Sequence, residues 1–266
     1  MPPVATTPPD LLRAALAEDP ARPLLTHLDG RTGERTEVSV TTFDNWVAKT
    51  AGLLVDGLGA APGARVALRL PPHWQGLVWA AACWAAGCVA VPGGRDGDVV
   101  VLGPDEDAAG APGDEVVVMA LRPLAAPGPP APAGVTDYDR EVLGYADRFS
   151  SPHGPPPAAG PALELPGGRR LTSDDLVGAA GRAAEQWGLG PRERVLVADP
   201  LGGLDGLLAA LLAPLASGAA ALLALGLDDA ALAHAVEQER VTAAFLPAGS
   251  AVPAGVRRLP PLQPPA

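Results

Sequence analysis

An internal repeat is the feature of this sequence that most constrains its fold. The same ordered set of glycine, proline and Arg-Val signals occurs twice. The matched segments are Val40-Thr41-Thr42 with Leu171-Thr172-Ser173, Gly57-Leu58-Gly59 with Gly188-Leu189-Gly190, 62–66 with 191–195, and Ala86-Gly87 with Ser217-Gly218. Each copy predicts a helix, a glycine stop, a strand, an apolar helix and an apolar strand, in that order. Because only two copies exist, we expect a duplicated lobe and not a solenoid.

The predicted strands are nearly continuous apolar runs, such as those at 65–70 and 194–198. Such runs alternate with helices along the chain, which is typical of parallel sheets covered on both faces. The sequence therefore predicts an α/β protein with two similar βα lobes, whose mainly parallel sheets are flanked by helices. The two Arg-Val strands should occupy equivalent positions.

Stretches rich in proline and glycine suggest where the lobes divide. The chain has 32 residues of each type, close to low-complexity composition. We predict a first lobe at 1–149, a Pro-rich linker at 150–160, a second lobe at 161–259 and a disordered tail at 260–266, with residues 1–9 frayed as well. A long loop at 123–134 should lead into an amphipathic helix at 137–148, since Tyr138, Val142, Tyr145 and Phe149 follow helical spacing.

Charge and cysteine content narrow the partners and the compartment. The net charge is −11 and no arginine cluster offsets it, which argues against nucleic acid as a partner. Cys83 and Cys88 lie in apolar sequence and are expected to be buried thiols. No basic segment precedes an apolar run at the N-terminus, so no signal peptide is expected. These features indicate a cytoplasmic protein.

Two uncharged stretches, 70–94 and 206–227, are long enough to raise the possibility of membrane spans. Both are interrupted, by Gly87 and Pro92 in one and by Pro214 and Gly218 in the other, and neither has basic flanks. A buried helix, a glycine stop and a buried strand would give the same pattern. We therefore predict no stable membrane insertion, while a membrane-associated protein remains an alternative.

Several motifs occur in an order that is found in a known superfamily. They are Val40-Thr41, Leu58-Gly59, the run 62–67, the run 86–92, Leu171-Thr172-Ser173 and Glu239-Arg240-Val241-Thr242. With these motifs the chain, over roughly residues 10–247, resembles the N-terminal domain of adenylate-forming enzymes. That superfamily contains acyl-CoA synthetases, peptide-synthetase adenylation domains and luciferases. The resemblance implies a scaffold of AMP-forming ligases, in a small and truncated form.

The resemblance fails at the residues that perform adenylation. Family members hold the ATP phosphates with a flexible Ser/Thr/Gly loop that ends in Pro-Lys-Gly. Here Pro166-Gly167-Gly168 stands in its place, which is long enough only for a tight turn between two short strands. Arg169 and Arg170 follow and could still contact an anion, although a solvated pair is the simpler interpretation. The family's "Pro-Leu-Phe-His" segment resembles Pro200-Leu201-Gly202-Gly203, without the aromatic and imidazole side chains. The family's third sub-domain and C-terminal domain have no counterpart.

Other polar residues form weaker candidates. His73 and Asp199 follow equivalent strands, at the end of a parallel sheet where ligands bind, and a site between the lobes could use both. Satisfaction of helix N-termini is the simpler role for each. The acidic residues at 105–107 and 114–115 are expected to form a solvated loop and not a calcium site. His27, His153 and His234 lie on different predicted elements, so no zinc site is predicted.

These observations assign no catalytic, cofactor-binding or metal-ligating residue and no cofactor. The leading hypothesis is a non-catalytic binding or regulatory protein on the ligase-like scaffold, a pseudoenzyme. The alternative is a fragmentary AMP-forming acyl-CoA ligase-like enzyme that needs a partner chain. The expected partner is an unidentified protein or a small carboxylate or nucleotide ligand.

Overall fold

The computed structural model describes residues 5–123 and 126–263 and contains two mainly parallel sheets. The strands are β1 (Pro23–Asp29), β2 (Glu34–Ser39), β3 (Arg65–Arg69), β4 (Val89–Pro92), β5 (Val99–Leu102), β6 (Glu115–Val118), β7 (Thr136–Asp137), β8 (Pro161–Glu164), β9 (Arg170–Thr172), β10 (Arg194–Val197), β11 (Ala220–Leu225), β12 (Ala243–Phe245) and β13 (Arg257–Arg258). The helices are α1 (Pro8–Glu18), α2 (Val40–Gly52), α3 (Trp74–Ala86), α4 (Tyr138–Glu141), α5 (Ser173–Gln186), α6 (Leu204–Leu207), α7 (Ala213–Ser217) and α8 (Asp229–Gln238). The predicted α/β class is confirmed.

The two sheets have the same strand plan. The seven-stranded sheet has the order β7-β6-β5-β3-β4-β8-β9, and the six-stranded sheet has the order β13-β12-β10-β11-β1-β2. Each ends in an antiparallel hairpin, β8–β9 or β1–β2, that joins the rest of its sheet through a parallel pair. Strands β3 and β10 thus hold the same place in their sheets, as the repeat predicts.

The register of the strand pairs is also repeated. Ala90 of β4 pairs with Leu163 of β8, and Ala221 of β11 pairs with Leu25 of β1. Both hairpins carry an irregularity at the same place, after the proline that begins their first strand. The repeat is therefore present in the backbone pairing as well as in the sequence.

Each hairpin belongs to the sheet formed mainly by the other half of the chain. The domain boundaries predicted from the sequence do not include this exchange. The hairpin β1–β2 is in the first half of the chain but completes the sheet of the second half, and β8–β9 completes the sheet of the first. The proposed linker at 150–160 thus does not separate the two sheets. The largest buried apolar cluster likewise contains residues of both halves, such as Trp79 and Leu211.

The predicted match between the starts of α2 and α5 is wrong by two residues. Helix α2 is capped by Ser39, whose Oγ accepts from the N–H of Thr42 at 3.1 Å, and not within 41–44. Helix α5 is capped by Thr172 in the same way. Because Pro23 pairs with Ser39 and Pro161 with Thr172, Val38-Ser39 and not Val40-Thr41 corresponds to Leu171-Thr172.

Two arginines bind the exchanged hairpins. Arg65, the first residue of β3, donates to Glu164 of β8 at 2.8 Å. Arg194, the first residue of β10, donates to Thr26 of β1 at 2.8 Å. These long-range contacts are equivalent in the two repeats, and each joins one half of the chain to the other.

Three segments differ from their predicted form. The helix expected at 137–148 ends early, because α4 passes into a 3-10 turn at Val142–Gly144 and the chain then becomes extended at Tyr145. Near the C-terminus, the carbonyl of Pro260 accepts from Trp187 Nε1 at 2.9 Å, so the described part of the 260–266 tail is bound to the fold. Pro8 and Pro9 begin α1 and are not frayed, since proline is accepted in the first turn of a helix. Residues 1–4 and 264–266 lie outside the described residues.

The apolar run at 206–227 is divided between a helix and a strand. It contains the second half of α6, a π-helical segment (Leu208–Leu212), α7 and β11, with Gly218 in a left-handed conformation between α7 and β11. Within the described part of the chain, none of the helices has the length and apolar character needed to cross a bilayer.

Candidate functional site

The segment at the family's phosphate-loop position is a closed hairpin turn. The N–H of Leu165 donates to the carbonyl of Arg169 at 2.8 Å, and the N–H of Gly168 donates to that of Leu165 at 3.0 Å. Gly167 and Gly168 both have positive φ, 88° and 82°, which only glycine adopts easily. The predicted tight turn between two short strands is confirmed, and two of its backbone donors are used within the turn itself.

The arginines after this turn are not equivalent. Arg170 donates a hydrogen bond to the Glu164 carboxylate at 2.9 Å, and the same carboxylate also accepts a hydrogen bond from Arg65. Arg65 and then Arg170 hold the pKa of the Glu164 carboxyl below its usual range. Arg169 is exposed and forms no ion pair with any residue that the structure describes. Of the two arginines that could contact an anion, Arg170 is therefore already paired with a carboxylate of the protein.

The structure does not bring the predicted pair His73 and Asp199 into a common hydrogen-bond network. Asp199 accepts from the N–H of Leu201 at 3.2 Å, a contact within its own loop. His73 is the N-cap of α3, where its Nδ1 accepts from the N–H of Gln75 at 3.2 Å. The capping role predicted for His73 is confirmed, while Asp199 closes a turn and caps no helix. The acidic residues at 105–107 are exposed, as expected of a solvated loop.

His73 instead meets His27 across the two sheets. Helix α3 follows β3 of the seven-stranded sheet and also contacts β1 of the six-stranded sheet. The rings of His27 and His73 lie edge to face, with centroids 4.5 Å apart. Glu34, at the start of β2, completes a group that we call the histidine cluster. One potential ligating atom from each of His27, Glu34 and His73 lies within 4.8 Å of the others.

Burial defines the chemistry of the histidine cluster. His27 is fully buried, and Glu34 and His73 are 8% and 5% exposed. Burial is the main cause that lowers the pKa of His27 to about 4 and that of His73 to about 3. Both rings are therefore neutral near pH 7, which is the form that binds metal ions.

Several polar atoms of this region are buried without a hydrogen-bond partner in the described structure. They include both ring nitrogens of His27 and Nε2 of His73. Glu34 is partly satisfied, because its Oε1 accepts from Thr36 Oγ1 at 2.6 Å. Sequence reasoning missed this cluster because its members lie on three separate elements. The available signal was the alternation in β1 and β2, which places His27, Glu34 and Thr36 on one face.

A second candidate is a groove between helices, which we call the helical groove. Its volume is about 350 Å³ and its walls are mostly apolar. Residues of α1, α2, α3 and the π-helical segment contribute Leu12, Phe43, Val47, Trp84 and Leu211. Arg13, Asp44 and Arg148 also line it, and burial raises the pKa of the Asp44 carboxyl. Arg13 is bound to Asp10 at 2.5 Å, whereas Arg148 has no ion pair among the described residues.

A larger crevice of about 800 Å³ lies at the carboxyl ends of β3, β4 and β5. Ligands of α/β proteins commonly bind at this edge of a sheet. Its lining holds two arginines and two carboxylates, since Arg69 is paired with Glu106 and the other two charged residues are Arg95 and Asp105. The crevice therefore lacks the excess positive charge that a phosphate site needs.

The sequence of the chain matches that of a known protein. The chain is 36% identical over 249 residues to a curated protein of Mycobacterium tuberculosis (strain ATCC 25618 / H37Rv) described as a TIGR03089 family protein, with 89% of this chain and 98% of that protein covered. No model of a known protein family matches the chain.

Solved structures that match this fold include acyl-CoA synthetases and CoA ligases. A Brucella canis acyl-CoA synthetase matches 90% of this chain and 47% of its own, with a TM-score of 0.72 and 18% identity. The anthranilate CoA ligase AuaEII, solved with anthranoyl-AMP, matches 92% and 50%, with a TM-score of 0.75 and 16% identity. The chain thus spans about half the length of these enzymes. It belongs to the TIGR03089 family and has the fold of the matching half of these enzymes.

Proposed function

We propose that this chain is a non-catalytic binding protein on the scaffold of AMP-forming ligases. The observation that carries the proposal is the hairpin turn at Pro166-Gly167-Gly168. Adenylate formation requires several donors directed at the phosphates while pyrophosphate leaves, and one such donor is worth roughly 3–4 kcal/mol in active sites. In this turn the N–H groups of Leu165 and Gly168 are bound to carbonyls of the turn itself.

The charged residues beside the turn support the same proposal. Arg170 and Arg65 share Glu164, so binding a phosphate at Arg170 would have to break an existing ion pair or bring an anion close to a carboxylate. Arg169 alone remains, as an exposed cation in water, where a single charge binds an anion weakly. These features argue against a retained nucleotide site at this position.

The helical groove is the best candidate for ligand binding, and its chemistry favours a small apolar carboxylate. Its apolar walls would hold an alkyl or aryl body. Two arginines and one carboxylate line it, and Arg148 is the cation that no described residue occupies. An apolar carboxylate would bury its body in the groove and pair its charged group with Arg148.

The proposed setting is the reducing cytoplasm. Cys83 and Cys88 are both buried and unpaired thiols, and burial raises the pKa of each. Thiols in this state are typical of proteins that do not depend on disulfides.

Carboxylate-dependent ATP–pyrophosphate exchange tests the non-catalytic assignment. We expect the purified chain to give no exchange above background with fatty, aryl or amino acids. Exchange that is lost in the Arg169→Ala/Arg170→Ala variant would overturn the proposal. Exchange that appears only after a second chain is added would replace it with a split ligase that needs a partner.

Ligand binding is tested by comparing octanoate with octanol in thermal unfolding. Octanoate should raise the melting temperature more than octanol, and Arg148→Ala should remove this difference. Arg182→Ala, which removes an exposed arginine of α5 outside the groove, is the matched control and should retain it. An equal response of all three proteins would exclude Arg148 as the carboxylate contact.

A further inference from the structure

We infer that His27, Glu34 and His73 form a zinc site that connects the two sheets. One potential ligating atom from each residue lies within 4.8 Å of the other two. A tetrahedral zinc ion with bonds of about 2.0–2.1 Å needs its ligands closer together than this limit. His27 can approach that geometry by rotation of its ring, because neither of its nitrogens is hydrogen-bonded in the described structure, and His73 offers its unpartnered Nε2.

The donor set selects the class of metal. Two imidazoles and one carboxylate are the protein ligands of several zinc sites that keep a fourth position open. Calcium and magnesium require oxygen ligands almost exclusively, so they do not fit a site with two histidines. Burial also keeps both rings neutral, so that metal binding does not have to displace a proton from an imidazolium.

The unpartnered nitrogens are the second observation in favour of a ligand. His27 is completely buried, and neither of its ring nitrogens has a hydrogen-bond partner among the described residues. Buried polar groups are normally satisfied, and a group without a partner calls for an explanation. A metal ion bound by His27 and His73 would satisfy one nitrogen of each ring.

Coordination changes the cap of α3. In His73 the Nδ1 atom accepts from Gln75, so the neutral ring carries its proton on Nε2. Coordination through Nε2 would move this proton to Nδ1 and exchange one cap hydrogen bond for a metal bond. The site would therefore join the N-terminus of α3 to the hairpin β1–β2.

The second repeat has a leucine at the position of His27, and this difference suggests a substitution that the fold should tolerate. Since Leu163 corresponds to Leu25 in the strand register, Leu165 stands where the first repeat has His27. His27→Leu introduces the residue of the second repeat and removes two buried nitrogens. Glu34→Gln retains an acceptor for Thr36, and His73→Asn retains a good N-cap for α3.

The test measures zinc and cobalt binding to chelator-treated protein. We expect one equivalent of Zn²⁺, competition by Co²⁺ with the visible absorption of a tetrahedral site, and a higher melting temperature with either ion. Each of the variants His27→Leu, Glu34→Gln and His73→Asn should weaken binding at least about a hundredfold, since even residues that only orient ligands cost 10–100-fold.

The other two histidines provide the control. His153 and His234 are exposed and lie outside the cluster, so His153→Ala/His234→Ala should bind metal as the natural chain does. The inference is overturned if the natural chain binds no Zn²⁺ or Co²⁺ after refolding with the ion. It is equally overturned if the double variant loses binding, or if the three cluster variants retain it.

Discussion

The two hairpins, β1–β2 and β8–β9, have the same place in the repeat and differ in length. The first has strands of 7 and 6 residues, and the second has strands of 4 and 3. The longer hairpin extends far enough to place His27 and Glu34 beside α3. The shorter one ends in the turn at 166–168, at the phosphate-loop position. One backbone plan thus carries a buried group of two histidines and a glutamate in one repeat and a tight glycine turn in the other.

The arginines that bind the hairpins show a related difference. Arg194 is 18% exposed and pairs with Glu239, which is 8% exposed. Arg65 is 32% exposed, and of its two partners Asp96 is 69% exposed. The first-repeat arginine is therefore closer to solvent than its counterpart, although both make the same cross-repeat contact.

The largest expected effect comes from comparing these arginines. Arg194→Ala should lower the free energy of unfolding by about 3 kcal/mol, because it leaves Glu239 buried with one arginine fewer and removes the donor to Thr26. Arg65→Ala should cost about 1 kcal/mol or less, because its ion pairs are partly solvated and Glu164 retains Arg170. Urea unfolding at pH 7 measures both. Equal losses, or a larger loss for Arg65→Ala, would contradict the comparison.

A smaller effect is expected at the caps of α2 and α5. Helix α5 has a capping box formed by Thr172 and Asp175, whereas the corresponding position of α2 is Thr42. Asp175→Ala should cost about 1 kcal/mol, and Thr42→Asp should add about 0.5 kcal/mol by creating the box in α2. Thermal unfolding of the two variants checks the signs. Stabilisation by Asp175→Ala would show that the box does not act as described.

The contribution of Asp175 should depend on pH. Hydrogen bonds from the backbone and side chain of Thr172 hold its pKa below the ordinary value of 3.8. A carboxyl with a lowered pKa in the folded state stabilises fully above the unfolded pKa, and this stabilisation is lost as pH falls through the lower folded pKa. The difference between the natural chain and Asp175→Ala should therefore be constant from pH 7 to about 5 and decrease below pH 3.8. A difference that grows in acid would reverse the assigned sign.

The sequence predicted the order of the elements because each repeat carries local signals. Gly87 and Gly218 end their helices with positive φ, as glycine stops do. It did not predict the exchange of hairpins, since the local pattern of a strand does not specify which of two equivalent sheets it will join. The helix expected at 137–148 is wrong beyond Gly144, because glycine is a poor helix former and the chain becomes extended at Tyr145 despite the apolar spacing that continues to Phe149.

Of the candidate sites, one could be predicted from local sequence and the other could not. The turn at Pro166-Gly167-Gly168 could be predicted because glycine, proline and segment length determine a local structure. The histidine cluster could not, since His27 and His73 meet only after the first hairpin has joined the opposite sheet. A contact between repeats depends on tertiary topology, which the local pattern of each element does not specify.

Direct titration with ATP tests the central claim, that the short hairpin has replaced a phosphate-binding loop. In calorimetry with the purified chain, ATP should bind no more tightly than inorganic tripolyphosphate, with no saturation in the micromolar range. Arg169→Ala/Arg170→Ala should leave this weak interaction almost unchanged. A saturable micromolar site that discriminates ATP from tripolyphosphate, and that is lost in this variant, would contradict the account.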